Sequence, residues 1–140
     1  MRLMGLDYGD KTVGVAISDA LGLTAQPLET IFRERKTKLR RTLSRIDELV
    51  AEYGVELIVL GYPLEADGTE GDRCRATREF AETLMRRTNL PVELEDERLT
   101  TVESDEILRD MGVAPEDRKS YIDKIAASVI LRQYMENAAS

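Results

Sequence analysis

The chain has 140 residues, with 20 basic against 27 acidic side chains, a formal charge of −7 and 42% apolar content. That is enough apolar material for one packed domain spanning residues 1–140, and no linker, repeat or low-complexity tract divides it. With no histidine and one cysteine, Cys74, it can build no Ser-His-Asp or Cys-His catalytic pair, no His/Cys zinc site and no internal disulfide. Hydrolytic chemistry must then come from carboxylates with a hard, oxygen-seeking metal, or from hydroxyl and lysine groups. Met1 to Tyr8 does not read as a signal peptide, and Gly61 and Pro63 break the longest apolar stretch, Leu57 to Leu64. The expected setting is cytoplasmic, with no membrane span.

Leu3 to Asp7 is a short apolar run, and Thr12 to Ser18 alternates Val13, Val15 and Ile17 with small residues. Tyr8-Gly9-Asp10-Lys11 supplies turn chemistry between them, which predicts a β-hairpin. A third strand is expected at Pro27 to Phe32, its proline at the entrance where a missing N–H does least harm. The period then changes: Leu39, Leu43, Ile46, Val50 and Tyr53 mark one face of a helix, which Gly54 caps. Val55 to Leu60 fits a buried strand, and Gly61 to Gly71 a loop. From Asp72 to Thr88, the positions of Phe80, Ala81, Leu84 and Met85 predict a second helix, and Val92 to Glu95 a last strand. Thr100 and Glu103 form the pattern of a capping box for a helix running to Met111 and ended by Gly112. The final helix, from about Ser120 to Asn137, should bury Ile122, Ile125, Ala126, Val129 and Ile130. This order implies an α/β fold. Three antiparallel strands and then strand-helix units make a mixed five-stranded sheet flanked by helices.

Charge is distributed unevenly along the chain: Arg33 to Arg45 carries a net +6 and Glu93 to Glu106 a net −6. A basic segment can neutralise phosphates and an acidic one can hold cations, whereas the plainer reading makes both solvated faces. Four acids stand at the ends of elements: Asp7 closes the first strand, Asp96 and Glu97 close the last, and Asp123 opens the final helix. Alternation puts Asp96 on the face of Val92 and Leu94, where a carboxylate needs a partner. Asp123 borders its helix's apolar stripe, and the small residues Ala126 and Ala127 just after it allow close approach to a strand end. Carboxylates brought together raise one another's pKa unless a cation sits among them, and Mg²⁺ or Mn²⁺ is the natural occupant. Two such ions can stabilise both the attacking water and the leaving oxygen of a phosphodiester. Each acid also has a structural reading: Asp7 as a turn residue, Asp96 as a partner of Arg98, Asp123 as a capping acid. Lys11, Arg98, Arg73, Arg40 and Arg41 are the expected substrate contacts, and the glycine amides of the Gly61 to Gly71 loop could also meet phosphates.

The sequence runs through Gly5-Leu6-Asp7-Tyr8-Gly9 with Lys11, Gly14-Val15-Ala16 and Asp19, then Ile58-Val59-Leu60-Gly61-Tyr62-Pro63-Leu64 with Asp67-Gly68-Thr69-Glu70-Gly71. Asp96-Glu97-Arg98-Leu99-Thr100-Thr101 and Asp123-Lys124-Ile125-Ala126-Ala127 with Ile130-Leu131 follow. In that order these motifs resemble the YqgF/RuvX family, over nearly the whole chain. The resemblance implies an RNase H-like fold, shared with Holliday junction resolvases, and a metal-dependent nuclease that processes the 5′ end of precursor 16S rRNA in ribosome biogenesis. The alternatives it leaves are a Holliday junction resolvase and a non-catalytic RNA- or ribosome-binding module. Matched position by position, Asp7, the Asp96/Glu97 pair and Asp123 become the catalytic acids and the ligands of one or two Mg or Mn ions. The implied partners are structured RNA, namely precursor rRNA, or branched DNA, with ribosome association and a monomer or homodimer; junction cutting would require the dimer. The chain departs from the family pattern at Thr12, where arginine is common, at Tyr62, where leucine is usual, and at Glu65-Ala66, where Asn-Met often stands. The Val55 to Leu60 strand also ends without the glutamate that resolvase relatives carry.

Overall fold

The computed structural model describes residues 1–33, 39–98 and 100–139. The hairpin forms where turn chemistry places it, from β1 (Leu3–Tyr8) and β2 (Thr12–Ser18), and β3 (Ala25–Phe32) pairs antiparallel to β2. β3 begins two residues before the predicted entrance, so Pro27 lies inside the strand. It is tolerated there because β3 is the sheet's edge and the register shifts at Val15/Ala16, a bulge that leaves Leu28 unopposed.

α1 (Arg40–Tyr53) ends as predicted on Gly54, which adopts φ 64 and donates its N–H to the Val50 carbonyl. β4 (Leu57–Tyr62) runs parallel to β1, and β5 (Val92–Asp96) parallel to β4, giving the order β3-β2-β1-β4-β5. Gly61 and Tyr62, predicted as loop, continue the β4 ladder opposite Glu95 and Asp96. α2 (Asp72–Thr88) connects those strands, and its Met85 is 40% exposed despite the apolar spacing. α3 (Thr100–Asp110), a short 3-10 turn at Pro115–Asp117 and α4 (Arg118–Ala139) complete the chain.

The period of two along each strand divides the core in two. Met4, Leu6, Val13, Val15, Ile17, Ile58 and Leu60 pack with Ile46, Leu49, Phe80 and Leu84 of α1 and α2. Leu3, Ala16 and Val59 pack on the opposite face against Ala127, Ile130 and Leu131 of α4. The expected capping box at α3 does not form. Thr100 is the first helical residue, its hydroxyl has no partner among the described residues, and Glu103 pairs with Arg132 of α4 at 2.5 Å. No helix among the described residues is long and apolar enough to cross a membrane.

Candidate active site

Asp7 stands near the end of β1 on the face of Leu3 and Gly5, with Gly14 directly opposite it on β2. Gly14 is where α4 touches the sheet: a Cβ there would lie 1.9 Å from the Asp123 carbonyl oxygen. The missing side chain therefore lets the helix backbone rest on the strand, and it brings Asp123 beside Asp7. Gly61 plays the same part on β4, since its Cβ would meet Glu97 Oε2 at 2.7 Å and Ile130 Cδ1 at 2.6 Å. Glu97 occupies that space as the chain leaves β5. Its amide donates to the Tyr62 carbonyl at 3.2 Å, and its own carbonyl accepts from the Thr100 amide at 3.1 Å. On the other face the end of β1 is held by Tyr8, whose ring stacks on Phe80 at 4.0 Å between centroids while the Arg33 guanidinium lies 5.0 Å above it.

The Asp7 and Glu97 carboxyls are hydrogen-bonded to each other. Burial, reinforced by the nearby Asp123 charge, pushes Asp7 up to about 6, against the opposing pull of the Glu97 hydrogen bond and of Arg73. Burial and then the Asp7 charge push Glu97 up to about 8, with Arg73 again opposing. The pair thus titrates as one coupled unit, above the ordinary carboxylate range. Such a pair is what a divalent cation would displace a proton from, and its all-oxygen donors suit Mg²⁺ or Mn²⁺. Among the described residues no three acidic side chains stand close enough together to enclose an ion. The pair is assembled, while Asp123 acts on it through charge.

A cleft of about 380 Å³ opens over the pair, lined also by Pro63, Leu64 and Glu65, by Arg73 from the first turn of α2, and by Arg98, Thr100 and Ala126. Asp96 lies elsewhere. Its parity puts it with Val92 and Leu94, away from Asp7, and its carboxylate takes the Arg98 guanidinium at 2.8 Å and the Arg98 amide at 3.0 Å. That contact holds Asp96 below the usual carboxylate range. Arg98 so bridges the end of β5 and the loop, where a Cβ on Gly68 would lie 3.1 Å from Arg98 Nη1.

Of the other expected substrate contacts, Lys11 is exposed on the β1–β2 turn, and Arg40 and Arg41 are exposed at the start of α1. Lys11 belongs to the end of the sheet where β1 delivers Asp7, in the turn that follows that strand. Arg35, Lys36 and Lys38 of the basic segment lie outside the described residues. Two cleft residues had no place in the sequence reading of the site: Glu65, which sat inside a predicted loop, and Thr100, assigned to capping. Glycines at Gly14 and Gly61, inside strands, were the available signal for close approach.

A family model described as "RuvX: Holliday junction resolvase" matches residues 1–137. A protein of Lachnospira eligens, named "Putative pre-16S rRNA nuclease", is 58% identical over 137 residues, which is 98% of each chain. One of the same name from Agathobacter rectalis is 52% identical over 136 residues, 97% of this chain and 95% of the relative. Among solved structures, Thermus thermophilus RuvC in complex with a Holliday junction substrate superposes with a TM-score of 0.63 at 13% identity, covering 100% of this chain and 97% of that one. The fowlpox virus Holliday junction resolvase gives a TM-score of 0.58 at 16% identity, with 99% of both chains covered. The mixed sheet with its flanking helices is therefore the RNase H-like arrangement of these resolvases.

Proposed function

The chain belongs to the RuvX family, and from that premise we propose that it is a nuclease hydrolysing phosphodiester bonds, with the 5′ end of precursor 16S rRNA as its substrate in the cytoplasm. The observation that supports this reading most is the Asp7–Glu97 pair, buried, titrating as one unit and open to a cleft that also holds Arg73. In an α/β domain with ordinary surface acids, two carboxyls are not driven together under one opposing guanidinium unless something other than stability selects the arrangement.

Asp7 and Glu97, with Asp123 behind them, would hold one or two divalent ions; the chemistry such ions supply is Lewis-acid polarisation of a phosphoryl oxygen and activation of water. The chain's own residues supply the rest. Glu97 and Asp7 face the cleft as one coupled pair of carboxyls. Arg73 offsets the acids' charge and offers a cation to the entering phosphate. Lys11, Arg40 and Arg41 extend the contact along the RNA backbone. Asp96 orders Arg98 at the cleft rim and takes no part in the pair.

A second reading, cutting of branched DNA, is favoured by the description of the family model, and a junction substrate tests it beside the RNA. The deciding experiment is Mg²⁺- or Mn²⁺-dependent cleavage of a precursor rRNA fragment by Asp7→Asn, Glu97→Gln and Asp96→Asn proteins. Cleavage should fall at least ~100-fold in the first two and less than about tenfold in the third, with the melting temperature of Asp7→Asn at or above wild type. An Asp7→Asn protein that cuts normally would sink the assignment.

A further inference from the structure

Thr100 lines the cleft beside the acidic pair, yet it is only 4% exposed and its Oγ1 has no hydrogen-bond partner among the described residues. Its backbone groups are both engaged, the amide with the Glu97 carbonyl and the carbonyl with the Ser104 hydroxyl at 2.7 Å. The hydroxyl alone is left over. It cannot cap α3, because Thr100 is already the first helical residue, and the acid that would complete a capping box, Glu103, is bound to Arg132. A buried hydroxyl without a partner is uncommon, and where one borders a functional cleft the missing partner is sought in a ligand.

The surroundings specify what that ligand must be. Thr100 opens an 11-residue helix, whose N-terminus carries partial positive charge and favours an anion. Arg73, on the same cleft, lies near enough to Asp7 and Glu97 to act on both and adds a positive charge there. Building on the nuclease reading, we propose that the Thr100 hydroxyl donates a hydrogen bond to a phosphate oxygen of the bound RNA, making Thr100 a substrate-binding residue of the cleft.

The test uses the full-length protein and a fluorescent RNA spanning the mature 5′ end of 16S rRNA within its precursor. Binding is followed by anisotropy in Ca²⁺ and cleavage in Mn²⁺, with thermal melting alongside. Thr100→Val, which keeps the shape and removes the hydroxyl, should weaken binding roughly tenfold and raise KM more than it lowers kcat. Thr100→Ser should stay within about twofold of wild type on both. Because the hydroxyl has no intramolecular partner among the described residues, Thr100→Val should melt no lower than wild type. Wild-type binding by Thr100→Val would overturn the proposal, as would equal losses in Thr100→Ser, or a Thr100→Val protein melting several degrees low. A wild-type protein that binds this RNA without cutting it removes the nuclease reading and leaves the Thr100 comparison readable in binding alone. A wild-type protein that does not bind it removes both.

Discussion

On one face of the sheet, Met4, Leu6, Val15, Ile58 and Leu60 meet Ile46, Leu49, Phe80 and Leu84, branched and aromatic side chains filling the space between strands and helices. On the other, Gly5, Gly14, Ala16 and Gly61 meet α4, and a Cβ added at Gly5 or Gly14 would strike helix backbone at 2.8 or 1.9 Å. Large side chains hold a helix off a sheet, whereas the absence of side chains lets its backbone come into contact. The first arrangement stabilises the domain through buried apolar area; the second fixes a distance, and that distance sets Asp123 beside Asp7 and leaves room for Glu97. The face carrying the bulk of the large apolar core is thus not the face carrying the chemistry.

The comparison breaks most severely at Gly14→Ala. The new methyl has only backbone to displace, so α4 must shift; stability should drop by roughly 3 kcal/mol or more, and cleavage by the protein that remains folded should be lost as well. Urea denaturation together with cleavage per folded molecule measures both. Ile46→Ala, on the fully buried face of α1, should cost a similar 2–5 kcal/mol or so and yet leave cleavage by the folded fraction near wild type. Equal loss of activity in the two variants would erase the distinction between the faces.

A smaller effect concerns pH. Asp7 and Glu97 titrate higher in the folded protein, at about 6 and about 8, than their ordinary values of 3.8 and 4.5. The native state therefore binds their protons more tightly than the unfolded chain does. In EDTA the stabilisation from these protons is complete below the ordinary carboxylate range, and it is lost as the pH rises through about 6 and then about 8. Asp7→Asn removes one of the two charges, so its stability should decline less steeply over that interval. Denaturation midpoints between about pH 4 and pH 9 for wild type and variant decide the point, and parallel curves would mean that Asp7 does not titrate higher in the folded protein than in the unfolded chain.

Much of the architecture was legible in the residues because local rules and tertiary packing agree. The hairpin around Tyr8 to Lys11, the left-handed glycine after α1 and the helical period of Leu43 and Ile46 each follow from short-range geometry. Where reading and fold part, a long-range partner has intervened. Gly61 and Tyr62 look like loop until β5 supplies a ladder for them, and Pro27 fits inside a strand only because nothing pairs beyond β3. Thr100 and Glu103 have the spacing of a capping box, but Arg132, 29 residues on from Glu103, claims the glutamate.

The acids show the same division. The sequence by itself placed Asp7, Asp96 and Glu97 at strand ends and narrowed hydrolysis in a chain without histidine to carboxylate, hydroxyl and lysine groups, whereas Asp123, expected to open the last helix, lies in the second turn of α4, which begins at Arg118. Only the tertiary structure set Glu97, and not Asp96, against Asp7. The choice depends on which side of β5 faces α4 and where the strand stops, and both are set by packing against β4 and by the space above Gly61 rather than by any local preference.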